Sequence, residues 1–301
     1  MRLGGCLLLL LVGYAGLARA VIYPLPTGSN TLVGVIRYTT ANREDTLAEI
    51  ARNNDIGYDA LRLANPHVDA WLPQAGASVL LPSEYILPDA RRQGIVINLP
   101  AMRLFYYPPN GKEVQTFPIG VGREGWNTPV GSTQIVAKVP NPTWTPPASV
   151  RAEHAEAGDP LPAVVAAGPD NPLGQYALRL AWPGYLIHGT NKPFGVGMRV
   201  SHGCIRLLPQ DIKVLFAQVH PGTRVQVVDQ PWLWGHRDGH YYLQVFPALQ
   251  PNGAAQLTKF HTWLEKTVPA GLQVSWEQAA KIYETADGVP TLVAIASPNP
   301  G

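Results

Sequence analysis

Ile95-Val96-Ile97-Asn98-Leu99-Pro100-Ala101-Met102-Arg103-Leu104-Phe105-Tyr106-Tyr107 is a pair of β-rich runs separated by a short turn. Branched and aromatic side chains dominate both runs, and Asn110-Gly111 marks a second turn just beyond them. The same texture continues through Thr116–Gly122, Gln134–Val139, Tyr176–Leu180, Tyr185-Leu186-Ile187 and Thr223–Val228. A mainly β fold is expected from about Gly94 to Val228. Within it, Pro209 to Gln218 reads as a helix, with a proline at its start and Pro221 past its end. Residues 140–174 are proline-rich and read as irregular, and a connection of that length is either functional or disordered.

The chain outside this region divides further. Arg2, the short apolar core Leu7–Val12 and the small-x-small pattern Ala18-Arg19-Ala20 read as a cleaved signal peptide over residues 1–20. The core is too short for a membrane span, and no later stretch is long enough for one. Leu3-Gly4-Gly5-Cys6 precedes the apolar core, which argues against lipidation.

Removing the leader alters two balances. Two of the 23 basic residues, Arg2 and Arg19, go with it, so the basic residues that remain equal the 21 acidic ones. A formally neutral chain lacks the basic excess that would draw it to nucleic acid. Of two cysteines only Cys204 is left, so no internal disulfide can form. A lone thiol in an exported protein is either reactive or a buried, inert hydrophobe.

Residues 36–82 read as a small α+β unit. Asp45-Thr46 offers capping oxygens ahead of Leu47, Ile50 and Ala51, spaced for one helical face. Leu61 and Ala64 mark a second short helix stopped at Asn65-Pro66, and Gly76 leads into the strand Ser78–Leu81 before Pro82. This order resembles a LysM domain, which implies a strand–helix–helix–strand fold that binds N-acetylglucosamine-containing glycan. Glu44 stands where that family usually has glycine. Beyond residue 229, Trp232-Leu233-Trp234 and Tyr241-Tyr242-Leu243 flank Asp238-Gly239 as a hairpin, with short helices expected at Phe260–Lys266 and Trp276–Tyr283.

Chemistry concentrates in His188-Gly189-Thr190 and Ser201-His202-Gly203-Cys204-Ile205-Arg206-Leu207. Little of an ordinary thiol is ionised near neutrality, so a nucleophilic cysteine needs a base, and imidazole is suited to that work. A paired imidazolium would favour the thiolate further. Gly203 permits close approach of a substrate carbonyl, and amides around Gly203 and Cys204 could form an oxyanion hole. By spacing alone, His202 and Cys204 could equally be alternate residues of a structural strand.

His188-Gly189-Thr190-Asn191-Lys192-Pro193 followed by Ser201–Leu207 resembles the YkuD-type L,D-transpeptidases, closest to the ErfK/YbiS/YcfS/YnhG group of Gram-negative envelope enzymes. The likeness extends through Thr128-Pro129-Val130-Gly131 and Pro169–Gly174 and covers residues 93–228. It implies a β-sandwich catalytic domain, commonly preceded by LysM, with residues 229–301 as a C-terminal α+β extension. It also implies Cys204 as nucleophile, His188 as general base, the Gly189 carbonyl as the group that orients the imidazole, and His202 and Gly203 around the oxyanion hole. Ser201, Thr190 and Arg206 fall at substrate-binding positions; Arg206 either meets a substrate carboxylate or braces the loop.

The implied reaction is acyl transfer from peptidoglycan tetrapeptide stems in the periplasm, with no metal or organic cofactor. The acceptor is a neighbouring stem, the lysine of an outer-membrane lipoprotein, or water. Sortases place their histidine much farther upstream of the cysteine, and NlpC/P60 peptidases place it after the cysteine. A non-catalytic wall-binding protein would have no use for the reactive set. His236 and His240 flank a turn, which does not suit a metal site.

Overall fold

The computed structural model describes residues 21–250 and 253–296; the signal peptide expected over 1–20, with Cys6, lies outside them. The chain enters through β1 (Val21–Pro24) and β2 (Leu32–Gly34) and then forms a small α+β unit: β3 (Arg37–Thr40), α1 (Leu47–Asn53), α2 (Tyr58–Ala64) and β4 (Ser78–Leu81). Thr46 caps α1 through a reciprocal pair, its hydroxyl accepting from the Glu49 N–H while the Glu49 carboxylate accepts from the Thr46 N–H. Leu47, Ile50, Ala51, Leu61, Val79 and Leu81 close its core. Asn65 ties the end of α2 to β4, donating to the Leu61 and Leu80 carbonyls and accepting from the Leu80 N–H. The next strand, β5 (Glu84–Ile86), pairs back with β2.

The central region contains β6 (Gly94–Asn98), β7 (Arg103–Tyr107), β8 (Glu113–Gly122), β9 (Gly131–Pro140), α3 (Ala148–Glu156), β10 (Tyr176–Leu180), β11 (Leu186–His188), β12 (Arg199–Ser201), β13 (Ile205–Leu207), α4 (Pro209–Gln218) and β14 (Arg224–Val228). The strands run in the order β1-β8-β13-β11-β10-β9-β14-β6-β7, and β7 pairs again with β8, so the two faces of the sandwich join at their edges. The long strands β8 and β9 make both joins: β8 pairs β7 at one end and β13 at the other, while β9 pairs β14 and then β10.

Alternation explains the uninterrupted apolar runs. Ile95 and Ile97 enter the core between the two faces with Leu104, Phe117, Ile135, Leu178, Ile187, Ile205 and Leu207, and α4 adds Ile212 and Leu215. Val96, Phe105 and Tyr107 point to the opposite side and are covered by Val33, Tyr85 and Leu87. A strand buried on both faces reads as continuous hydrophobicity.

Residues 140–174 are not wholly irregular. They carry α3 and an isolated bridge between Trp144 and Val165. The C-terminal unit contains β15 (Trp232–Arg237), β16 (His240–Val245), α5 (Gly253–Thr267), α6 (Trp276–Thr285) and β17 (Thr291–Ile295). Asp238 and Gly239 both take positive φ, 48° and 79°, as a type I′ hairpin requires. The helix at Phe260 begins earlier than expected, at Gly253. Among the described residues no helix is long and apolar enough to cross a membrane.

Candidate active site

Two short parallel strands build the site. β11 and β13 pair Ile187 with Ile205 and His188 with Arg206, so the last residue of β11 shares a sheet face with Arg206. Cys204 immediately precedes β13, and its thiol lies against the Leu186 N–H of β11, two residues before His188. Cys204 sits where β12 turns into β13 through Gly203, whose φ of 98° favours glycine. A Cβ on Gly203 would also lie 3.1 Å from the Tyr185 ring. Gly189 has little room for a side chain: a Cβ there would lie 3.0 Å from the Ile212 side chain of α4.

The loop is braced by its own hydroxyls. Ser201 donates to the Cys204 carbonyl at 2.6 Å and accepts from the Gly203 N–H at 3.2 Å. Thr128 donates to the Gly203 carbonyl at 2.9 Å and accepts from the Gly122 N–H at 3.3 Å. Thr190 accepts from the Lys192 N–H at 2.9 Å, closing the turn after His188. Of the two residues expected at substrate-binding positions, Ser201 both donates and accepts within the protein, while Thr190 is shown only accepting. The Gly203 N–H, expected near an oxyanion, is held by Ser201.

His188 is buried, and its Nδ1 donates to the Gly189 carbonyl at 2.6 Å. That bond assigns the proton to Nδ1 and leaves Nε2 as the basic nitrogen. Burial, reinforced by the positive charge of Arg206, pushes the imidazole down to about 3, although the Gly189 and Leu173 carbonyls pull it up. Cys204 is half-buried; burial pushes its thiol up, against the Leu186 N–H and the Arg206 charge. Both shifts favour a neutral thiol and a neutral imidazole at rest rather than an ion pair. The thiol lies 3.7 Å from the Gly184 carbonyl oxygen, to which it donates. Catalytic contacts are often longer in the free enzyme than in its substrate complex.

Arg206 completes the group. Its Nε is buried without a hydrogen-bond partner among the described residues, a costly condition for a cation. His202 faces the other way, with Nε2 3.1 Å from a Glu153 carboxylate oxygen, 3.2 Å from Arg123 Nη2, and its ring edge-on to Trp126. The second Glu153 oxygen pairs with Arg123. Glu153, Arg123 and Trp126 were not singled out in the sequence, because their partnership exists only once α3 folds over the site. Among the described residues no cluster of three or more His, Cys, Asp or Glu side chains is arranged to hold a metal ion.

This geometry lies within a recognisable stretch of chain. Residues 92–227 match the family model of the L,D-transpeptidase catalytic domain, YkuD. The chain is 42% identical over 277 residues to the probable L,D-transpeptidase YcfS of Escherichia coli K12, covering 89% of this chain and 82% of that protein. It is 46% identical over 247 residues to the probable L,D-transpeptidase YbiS of the same strain, covering 81% and 80%. With the probable L,D-transpeptidase ErfK/SrfK of Salmonella typhimurium LT2 it shares 40% identity over 298 residues, 96% of each chain.

Proposed function

Because the chain belongs to the YkuD-type L,D-transpeptidase family, we propose that it acts on peptidoglycan tetrapeptide stems with Cys204 as nucleophile and His188 as base. The observation that carries this reading is the meeting of β11 and β13: His188 pairs with Arg206, the Cys204 thiol lies against the Leu186 N–H, and the imidazole is oriented by the Gly189 carbonyl.

Arg206 binds a carboxylate of the donor stem and places the carbonyl of its third residue at Cys204. His188 Nε2 takes the thiol proton as sulfur adds to that carbonyl. The bond to the terminal D-alanine then breaks, and His188 returns the proton to the leaving amine. An acceptor amine attacks the resulting thioester, His188 removes its extra proton, and the thiol is restored. The neutral resting pair suits this order, since charge separates only when a substrate dipole is present to stabilise it.

The acceptor is a second stem's diamino acid, giving 3→3 crosslinks, or the lysine of an outer-membrane lipoprotein; water would give carboxypeptidase activity. Segment 140–174 serves as a lid that limits water, tied down through Glu153. The leader supports a periplasmic location, and the strand–helix–helix–strand order of residues 36–82 supports a LysM-like glycan-binding role. A carbapenem, which mimics the acyl donor, tests the nucleophile. Intact mass is expected to show one adduct on the wild type and none on Cys204→Ala; an equal adduct on both would refute the assignment.

A further inference from the structure

The small N-terminal unit is seated on the loop that leads to Cys204. Gly57, immediately before α2, meets Gly197 backbone to backbone. A Cβ on Gly57 would lie 2.9 Å from the Gly197 Cα, and a Cβ on Gly197 would lie 2.2 Å from the Gly57 Cα. Gly57 has φ −69° and ψ 144°, open to any residue, so the contact rather than the backbone conformation calls for glycine there.

The Asp59 N–H donates to the Gly197 carbonyl at 3.1 Å. It is one of the first-turn donors that α2 cannot satisfy internally, so the catalytic loop caps a helix of the small unit. Arg52 of α1 lies over the Phe194 ring at 5.0 Å. A second clamp holds the turn between the two helices: buried Arg103 donates to the Asp55 carbonyl and to Thr116 Oγ1, both at 2.8 Å.

The other side of the loop is fixed to the central sheet. The Gly197 N–H donates to the Ile119 carbonyl at 3.1 Å, and the Met198 carbonyl accepts from the Val121 N–H at 3.1 Å. Only Met198 and β12 separate Gly197 from His202-Gly203-Cys204. Backbone pressed on backbone has no flexible side chain to absorb a displacement. A shift of the small unit is therefore passed to the loop and along β12.

We propose that the Gly57–Gly197 contact is a positioning device for acyl transfer, by which the small N-terminal unit sets the placement of the 193–198 loop and, through β12, of the nucleophile. Gly57 is a positioning residue, remote in sequence from Cys204 and outside the residues matched to the catalytic domain. The inference rests on Cys204 as nucleophile. It assigns the small unit a part in catalysis whether or not it holds glycan.

The test uses the full exported chain carrying Gly57→Ala, with Val79→Ala as a control that loosens the small unit's core away from the contact. Two readouts are taken: kcat and KM for transfer from a tetrapeptide stem, and the pH profile of Cys204 alkylation by iodoacetamide. Gly57→Ala is expected to lower kcat about tenfold or more with little change in KM, because misplacement by about 1 Å can cost about a hundredfold. It should also displace the alkylation profile. Val79→Ala should lower the thermal midpoint and leave both readouts in place.

Wild-type kcat and an undisplaced profile in Gly57→Ala would overturn the proposal, whatever its thermal midpoint. If Gly57→Ala does not fold, Arg52→Ala takes its place: a several-fold fall in kcat supports the proposal, and an unchanged kcat and profile overturns it. Alkylation needs no substrate, so it reports on the loop independently of turnover. Transfer activity retained by Cys204→Ala would instead defeat the functional reading.

Discussion

Glu153 of α3 and His202, two residues before Cys204, are joined at 3.1 Å between a carboxylate oxygen and Nε2. The other carboxylate oxygen pairs with Arg123, so one side chain ties the 140–174 segment to the loop that carries Cys204. Arg123, and to a smaller degree His202, holds the Glu153 carboxyl below the usual carboxylate range. A depressed carboxylate stabilises the closed segment above its ordinary titration range, and that contribution is lost as pH falls through the lowered value. Glu153→Gln is expected to raise the share of acyl-enzyme lost to water several-fold relative to amine transfer, and to expose 140–174 to protease at neutral pH. The wild type should show comparable exposure only in acid. An unchanged ratio of hydrolysis to transfer would remove the lid from the account.

His188 gives a signed pH effect on stability. Its folded value, about 3, lies below the ordinary imidazole value of 6.5, so the unfolded chain binds the extra proton first. Stability from this group is whole above about pH 6.5 and falls by roughly 1.4 kcal/mol per pH unit as acid is added, until the folded value is reached. Thermal midpoints measured from pH 7 to 4 should fall more steeply for the wild type than for His188→Gln. Parallel curves would contradict this.

The charge of Arg206 reaches both Cys204 and His188 and lowers each. Arg206→Gln should therefore move the alkylation profile of Cys204 to higher pH and raise the KM for a tetrapeptide stem by about ten- to a hundredfold, the range for a lost charged hydrogen bond. Arg206→Lys should recover the thiol effect better than the KM, because lysine lacks the planar fork that meets a carboxylate. A KM unaffected by Arg206→Gln would leave Arg206 as a loop brace.

Thr128 holds the Gly203 carbonyl and the Gly122 N–H together. Thr128→Val leaves both groups buried and short of a partner, at a cost of about 1–3 kcal/mol. The thermal midpoint should fall by several degrees, with Thr128→Ser close to wild type. Equal midpoints for the valine and serine variants would show that the hydroxyl contributes little.

Sequence legibility followed the range of the forces involved. The strands around Ile95–Tyr107, the helix Pro209–Gln218 and the Asp238-Gly239 hairpin depend on local pattern and turn chemistry, and each occurs in the structure. α3 was hidden because it is short, flanked by Pro146-Pro147 and Pro160, and buries only Val150. What steadies it is a tertiary ion pair that no local window contains. β1, β2 and β5 are three or four residues long and are defined by their partners, a long-range property. At the site, residue types pointed to Cys204 and His188, and Arg206 entered only through the resemblance to the family. That Ser201 spends its hydroxyl on the loop, and that Gly57 meets Gly197, depends on geometry that sequence spacing does not carry.

Mass spectrometry of a purified disaccharide-tetrapeptide incubated with the chain from Val21 onward is the sharpest test of acyl transfer through Cys204. The wild type is expected to release D-alanine and form 3→3 dimers, while Cys204→Ala leaves the stem intact. Equal release of D-alanine by both proteins, or an intact stem with the wild type under conditions where a carbapenem acylates Cys204, would contradict it.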